Sequence, residues 1–318
     1  MKFTLKKSLI ILLVLMFSGA FVFSARAAYP TKKITMYVPY SAGGSSDLGV
    51  RRLSQRIEKV LGQPIIVENV IGAGGWVAWN KLARAKPDGY TLSMLALPYV
   101  AGYLNLATKR NMDLNSITPL ANHVIDFTAW AVLPSFPYKD IKELLEYVKI
   151  HPGEVKVATS GVNTQHHILL IELAKLGYKM EPVHTNGLSD ALTMALGGHV
   201  DIVSLGAGDV RKQVKDGNLR ALAVMSDRRS PFLPDVPTLA EATGLNLQAF
   251  AARGYAAPAN LDKEASEVLN AAFAKVMAEP EHVKEMDLMG LEVRYMNSDD
   301  YMKFLKSVEK QYKDALGW

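Results

Sequence analysis

The sequence predicts an α/β protein built as two lobes with a cleft between them. Three observations carry this reading. Strand and helix signals alternate along most of the chain, the alternation comes in two separate units, and a terminal helical run follows the second unit. The 318 residues match about two domains of roughly 100–200 residues each. With 49% apolar and 21% charged residues the chain can bury a sizeable core, which excludes an intrinsically disordered protein.

The first 27 residues stand apart. They hold Lys2, Lys6, Lys7 and Arg26 and no acid, an apolar run from Leu9 to Phe23, and an A-x-A pattern at Ala25-Arg26-Ala27. This is the pattern of a secretory signal peptide, so a periplasmic protein starting at Ala28 is expected. Without that segment the charge is 32 positive against 31 negative side chains. A near-neutral chain argues against nucleic acid, whose binding rests on neutralising phosphates. No later stretch reaches the roughly 20 residues of a spanning helix, so the mature chain is expected outside the membrane. The absence of Cys excludes disulfides, thiolate metal sites and thiol nucleophiles.

In the first unit, Ile34–Val38 reads as a strand closed by Pro39 and Gly43-Gly44. Leu48, Leu53, Ile57 and Leu61 recur at helical spacing, with Gly62 placed as a C-terminal cap. A strand at Pro64–Glu68, the glycine loop Gly72–Gly75, a helix at Trp76–Ala85 and a strand at Tyr90–Leu95 complete a βαβαβ order, which implies a mainly parallel sheet. The pattern blurs over 97–115, and apolar residues resume at Ala121–Val132. In the second unit, strands are expected at Val155–Thr159, Met180–Val183, Val200–Leu205 and Leu219–Val224. Helices are expected at Ile141–Ile150, Thr164–Leu176, Leu188–Leu196 and Asp209–Lys215. A proline-rich stretch, the apolar Leu247–Ala252, and helices at Leu261–Ala278 and Ser298–Leu316 follow, with a short strand near Leu291–Arg294. The lobe map is 28–128 with 253–318 for the first lobe, and 129–252 for the second.

Ligands of such sheets bind beyond the carboxyl ends of strands. The relevant loops are Tyr40–Asp47, Ala96–Tyr103, Ser160–His167 and Thr185–Leu188, with Gly206–Asp209 in a lesser role. Two of them are strand–loop–helix turns of small and hydroxyl residues that leave helix N–H groups free for an anion. Tyr40, Ser41, Ala42, Gly43 and Asp47 belong to the first, and Ser160, Gly161, Thr164 and His167 to the second; Thr185 and Asn186 precede a third helix. A Walker A loop is excluded because no Gly-Lys-Ser/Thr follows. His166 and His167 are adjacent and point about 100° apart on a helix, so no metal is expected. Ser160 lacks the G-x-S-x-G setting of a hydrolase nucleophile, so no catalytic residue is expected.

The motifs Val38-Pro39-Tyr40-Ser41-Ala42-Gly43-Gly44-Ser45-Ser46-Asp47, Lys86-Pro87-Asp88-Gly89-Tyr90-Thr91-Leu92, Gly197-Gly198-His199-Val200-Asp201 and Pro234-Asp235-Val236-Pro237-Thr238-Leu239-Ala240-Glu241, in this order, resemble those of the tripartite tricarboxylate transporter substrate-binding proteins, the Bug or TctC family. The resemblance covers nearly the whole mature chain. It implies a periplasmic binding protein fold, and capture of a small carboxylate for a two-component membrane permease by a monomer without cofactor. It carries ligand contacts onto Tyr40, Ser41, Ala42, Gly43, Ser160, Gly161 and Thr164. A periplasmic partner of a sensor kinase is the alternative, and a periplasmic hydrolase a further one. The chain departs from the family at Gly161-Val162-Asn163-Thr164, at His184-Thr185-Asn186-Gly187, and at Ala252-Arg253, where a Trp is common; these departures imply a changed distal pocket. Arg253 is expected to tune specificity at most.

Overall fold

The computed structural model describes residues 28–318 apart from Lys109 and Asn186, so the expected signal peptide lies outside the described residues. Three parallel strands form the start of the sheet: β1 (Ile34–Val38) sits between β2 (Ile65–Asn69) and β3 (Thr91–Leu97). Helices α1 (Ser45–Leu61) and α2 (Trp76–Ala83) make the crossovers. Val50, Leu53 and Ile57 bury one face of α1, and Gly62 ends it in the left-handed conformation at φ 67°. Trp79 of α2 is fully buried and donates its indole N–H to Met94 O at 2.9 Å, which ties the helix to β3.

The middle of the molecule is one long strand. β4 (Ile117–Val132) runs 16 residues, and its partners change along its length. Residues 117–127 pair antiparallel with β9 (Phe250–Pro258), and Ile125 and Val124 also pair with β10 (Glu292–Met296). From Thr128 onward the same strand pairs with β7 (Ile202–Gly206) and, from Ala129, with β8 (Arg220–Val224). Beyond β7 lie β5 (Lys156–Thr159) and β6 (Glu181–His184), paired in parallel. Parallel pairing is thus confined to the two ends of the sheet, and the strands that join them are antiparallel.

Helices α3 (Ile141–Ile150), α4 (Gln165–Lys175), α5 (Leu188–Leu196), α6 (Ala207–Lys215) and α7 (Leu239–Thr243) accompany the second set of strands. α8 (Lys263–Met277), α9 (Pro280–Leu288) and α10 (Ser298–Leu316) follow β9 and flank β10. α9 is a helix the periodicity did not announce; Pro280 at its first turn is the local signal that starts it. The larger apolar cluster runs from Ile34 through Trp79, Tyr255 and Phe273 to Tyr312, and a second gathers Trp130, Leu144, Leu169, Leu173 and Leu222. Two cations from the second set of helices grip the ends of the last helices. Lys175 donates to Ala315 O at 3.1 Å, and Arg211 donates to Asp287 O at 2.7 Å and Leu288 O at 2.8 Å. No helix among the described residues is long and apolar enough to cross a membrane.

Candidate functional site

Helix N-termini in this protein fall into two groups. The four helices α3, α7, α8 and α10 are capped by a side chain, from Asp140, Thr238, Asp262 and Asn297 respectively. By contrast α1, α2, α4, α5, α6 and α9 start with no side-chain cap bond, and four of these, α1, α4, α5 and α6, start from Gly44, Thr164, Gly187 and Gly206. The first turns of α1, α4, α5 and α6 line one cavity of about 460 Å³, through Ser45, Ser46, Gln165, Leu188 and Asp209. Each such end leaves backbone N–H groups unpaired and carries the positive end of a helix dipole. Larger hollows of about 780 and 650 Å³ lie elsewhere on the surface, around Lys86 and around Phe232, away from these ends.

Of the residues expected at the site, Tyr40 and Ser160 line the cavity. The Tyr40 hydroxyl is buried with no hydrogen-bond partner, and burial pushes its pKa up. Asp47 turns inward. It is 1% exposed and accepts from Gly43 N at 2.9 Å, Arg51 Nε at 3.0 Å and Asn69 Nδ2 at 2.9 Å. Those hydrogen bonds and the Arg51 charge outweigh burial and hold its carboxyl below the usual range. Asp47 therefore braces the loop of Ser41, Ala42 and Gly43, which is not among the cavity-lining residues. Gly43 sits at φ +84° with open space where a side chain would project, so its requirement is backbone conformation rather than close approach.

The second loop is braced similarly. Thr164 Oγ1 donates to Gly161 O at 2.9 Å, and Gly161 takes φ +137°. His167 Nδ1 accepts from Asn163 N at 3.1 Å, and its ring meets His184 edge-on, 4.5 Å between centroids. Thr185 Oγ1 reaches Thr159 O at 2.9 Å and Gly187 O at 2.8 Å. These side chains shape the turns that present Ser160 and Gly187, which do line the cavity. Asn186 lies outside the described residues.

Three charged residues complete the lining: Asp126, Asp209 and Arg253. The β4–β9 register pairs Asp126 with Ala251 and Val124 with Arg253, so Asp126 and Arg253 share one face of the sheet as diagonal neighbours. Arg253 Nη2 donates to Ser45 Oγ at 3.3 Å, while its buried Nη1 has no partner. Asp126 packs directly on Gly206, where an added Cβ would fall 1.9 Å from the carboxylate. Burial, and then the charge of Asp209, push the Asp126 carboxyl well above the usual range against the opposing pull of Arg253. Asp209 is raised as well, chiefly by burial. Sequence reading missed Asp126, although a lone acid inside the apolar Val124–Phe127 was a usable signal. It put Asp209 in a loop of lesser rank. Among the described residues there is no cluster of His, Asp and Glu that could hold a metal.

Comparison with known proteins follows the same lines. The family described as "Tripartite tricarboxylate transporter family receptor" (TctC) matches residues 50–316. The chain is 34% identical over 291 residues to the "UPF0065 protein in gbd 5'region" of Cupriavidus necator, spanning 90% of this chain and 86% of that one. The crystal structure of a TctC solute-binding protein from Polaromonas superposes with a TM-score of 0.83 at 28% identity, covering 91% of this chain and 99% of that one. MatC from Rhodopseudomonas palustris, solved with bound malate, gives a TM-score of 0.70 at 26% identity over 90% of this chain and 99% of that one. The matched proteins are receptors and solute-binding proteins rather than enzymes.

Proposed function

Because the chain belongs to the TctC family of tripartite tricarboxylate transporter receptors, we propose that it captures a small organic carboxylate in the 460 Å³ cleft and delivers it to a two-component membrane permease. The observation that carries this reading is the convergence of four uncapped helix N-termini on one cavity. An exposed helix end favours an anion by about 0.3–1 kcal/mol, and up to about 2 kcal/mol when partly buried. Each hydrogen bond to a charged group adds about 1.5–3 kcal/mol. A few such contacts reach micromolar affinity, about −8.2 kcal/mol, after the costs of association. The bound malate of the related MatC is consistent with this chemistry.

In this reading Tyr40 and Ser160 contact the ligand through their hydroxyls, Arg253 and the N–H groups of α1, α4 and α5 supply the positive field, and Ser41, Ala42, Gly43, Gly161, Thr164, His167 and Thr185 hold the loops in shape. The lobes are 28–128 with 253–318, and 129–252, and they close on the ligand about the strands that cross between them. Residues 1–27 direct export and are removed. Thermal unfolding of the purified mature protein against a panel of di- and tricarboxylates, followed by calorimetry on the hits, tests the proposal. A carboxylate at 100 times its Kd raises stability by about 2.7 kcal/mol, and Ser160→Ala and Tyr40→Phe each weaken its binding about tenfold. Absence of any stabilising carboxylate sinks the reading.

A further inference from the structure

The cleft carries a charge pattern that a plain carboxylate leaves unanswered. Four helix ends and Arg253 make part of its lining positive, yet Asp126 and Asp209 line the same cavity. Neither acid forms an ion pair among the described residues; Asp126 accepts only a long bond from Gly208 N, at 3.5 Å. Arg253 does not neutralise them, since its Nη2 turns to Ser45 on the first loop and its Nη1 is left over. Gln165, only 9% exposed, adds a buried Oε1 that has no partner. A second carboxylate placed against this wall would meet like charges or force two protons to stay bound.

We propose that the cleft takes a zwitterion, a small carboxylate that also bears a protonated amine. Its carboxylate lies toward Ser45, Arg253 and the helix N-termini, and its ammonium lies on Asp126 and Asp209. This rests on the carboxylate-capture reading above and names the substrate class of that same site. An ammonium brings three donors and no acceptor, and the two carboxylates and Gln165 Oε1 offer acceptors in the cavity. Charge-assisted bonds of this kind discriminate strongly, because an analogue without the amine leaves buried acceptors unpaired.

The proposal has a proton signature. Burial raises both acids. The charges of Asp209 and Glu292 add to the rise of Asp126 against Arg253 and the Gly208 N–H, and Arg253, the Gly206 backbone and Arg211 oppose the rise of Asp209. The empty pair therefore retains a proton near neutral pH, and an arriving ammonium expels it. A plain dicarboxylate does the reverse and keeps or takes up protons.

Calorimetry on matched pairs decides it: aspartate with succinate, glutamate with glutarate, 4-aminobutyrate with butyrate. Each is titrated into the mature protein at pH 7 in two buffers of different ionisation heat. The expected result is one pair in which the amino member binds at least tenfold tighter and releases protons. In D126N and D209N that ratio falls below about threefold. Equal or tighter binding of the deamino member, or proton uptake, overturns the zwitterion proposal and leaves carboxylate capture standing. Failure of every member of the panel to bind overturns both. Should the variants not unfold cooperatively, the wild-type ratio and proton count still decide.

Discussion

The Nε2 atoms of His123 and His282 lie 2.8 Å apart, with the two rings 18° from parallel, in a buried contact between β4 and α9. Both imidazoles are held neutral: burial pushes each pKa down, His282 to about 4. One ring must therefore donate and the other accept.

Their depressed values make the native state acid-sensitive. The unfolded chain binds protons at these sites below about pH 6.5, while in the folded chain His282 does not until about pH 4 and His123 is likewise held well below its ordinary value. Stability from this pair is present above pH 6.5 and is lost as pH falls through that window. Urea unfolding at pH 7 and pH 5 should show a smaller acid loss for His282→Gln than for the natural chain. Equal losses would mean that the pair does not govern the acid limb.

Asp126 acts with the opposite sign. Its folded pKa is raised from 3.8 to about 8, so the folded state holds the extra proton between those values. Its contribution is intact below about pH 4 and disappears as pH rises through 8. Asp126→Asn should therefore gain stability over the natural chain at pH 8.5 and lose that advantage near pH 5, read by thermal melts at both pH values.

Gly206 tests the close approach to Asp126. Its backbone, φ −64° and ψ 146°, suits any residue, so the obstacle to Ala is steric alone. Gly206→Ala should cost about 1–3 kcal/mol by overpacking. In an Asp126→Ala background the same change should cost under about 0.5 kcal/mol, a coupling that a double-mutant cycle measures directly.

Asp47→Ala removes the acceptor shared by Gly43, Arg51 and Asn69. Loss of about 1.5–3 kcal/mol of stability is expected, the worth of hydrogen bonds to a charged group. Ligand affinity should fall as well, through loosening of the first loop. An unchanged melting temperature would contradict the bracing role.

Arg211 tests the contact between α6 and the end of α9, which leads into the cavity-lining Met289 and Gly290. Arg211→Ala should speed ligand release about fivefold in stopped-flow measurements, matching roughly 1 kcal/mol for a cation at a helix end. A release rate within error of the natural chain would leave this contact without a role in retention.

Much of the fold was legible because it is local. The helical spacing of Leu53 and Ile57, the cap at Gly62 and the small-residue loops all encode their elements within a few residues, although Leu48, read onto the same stripe, is exposed and Val50 takes its place in the core. The direction and extent of β4 were not. Its apolar run has no period that distinguishes a parallel from an antiparallel partner, and its mates, β9 and β7, come more than 70 residues later. The chemistry of the cleft inherits that difficulty. Tyr40 and Ser160 sit in recognisable loops, whereas Asp126 and Arg253 become neighbours only through a register between strands 127 positions apart. Arg253, expected from sequence to tune specificity at most, lines the cavity with one buried nitrogen left without a partner.

The register of β4 also bears on how such a receptor can change over generations. Two bulges, between Pro119 and Ala121 and between Asn122 and Val124, each insert one residue opposite β9 and set which side of the sheet Asp126 occupies. Losing or gaining a single residue there would turn every later side chain to the opposite face. It would also shift the pairing of Thr128 with Gly206 in the same stroke. Length variation is thus closed to this strand, and the cavity lining it carries can vary by substitution in place or in the loops at either end, but not by insertion or deletion.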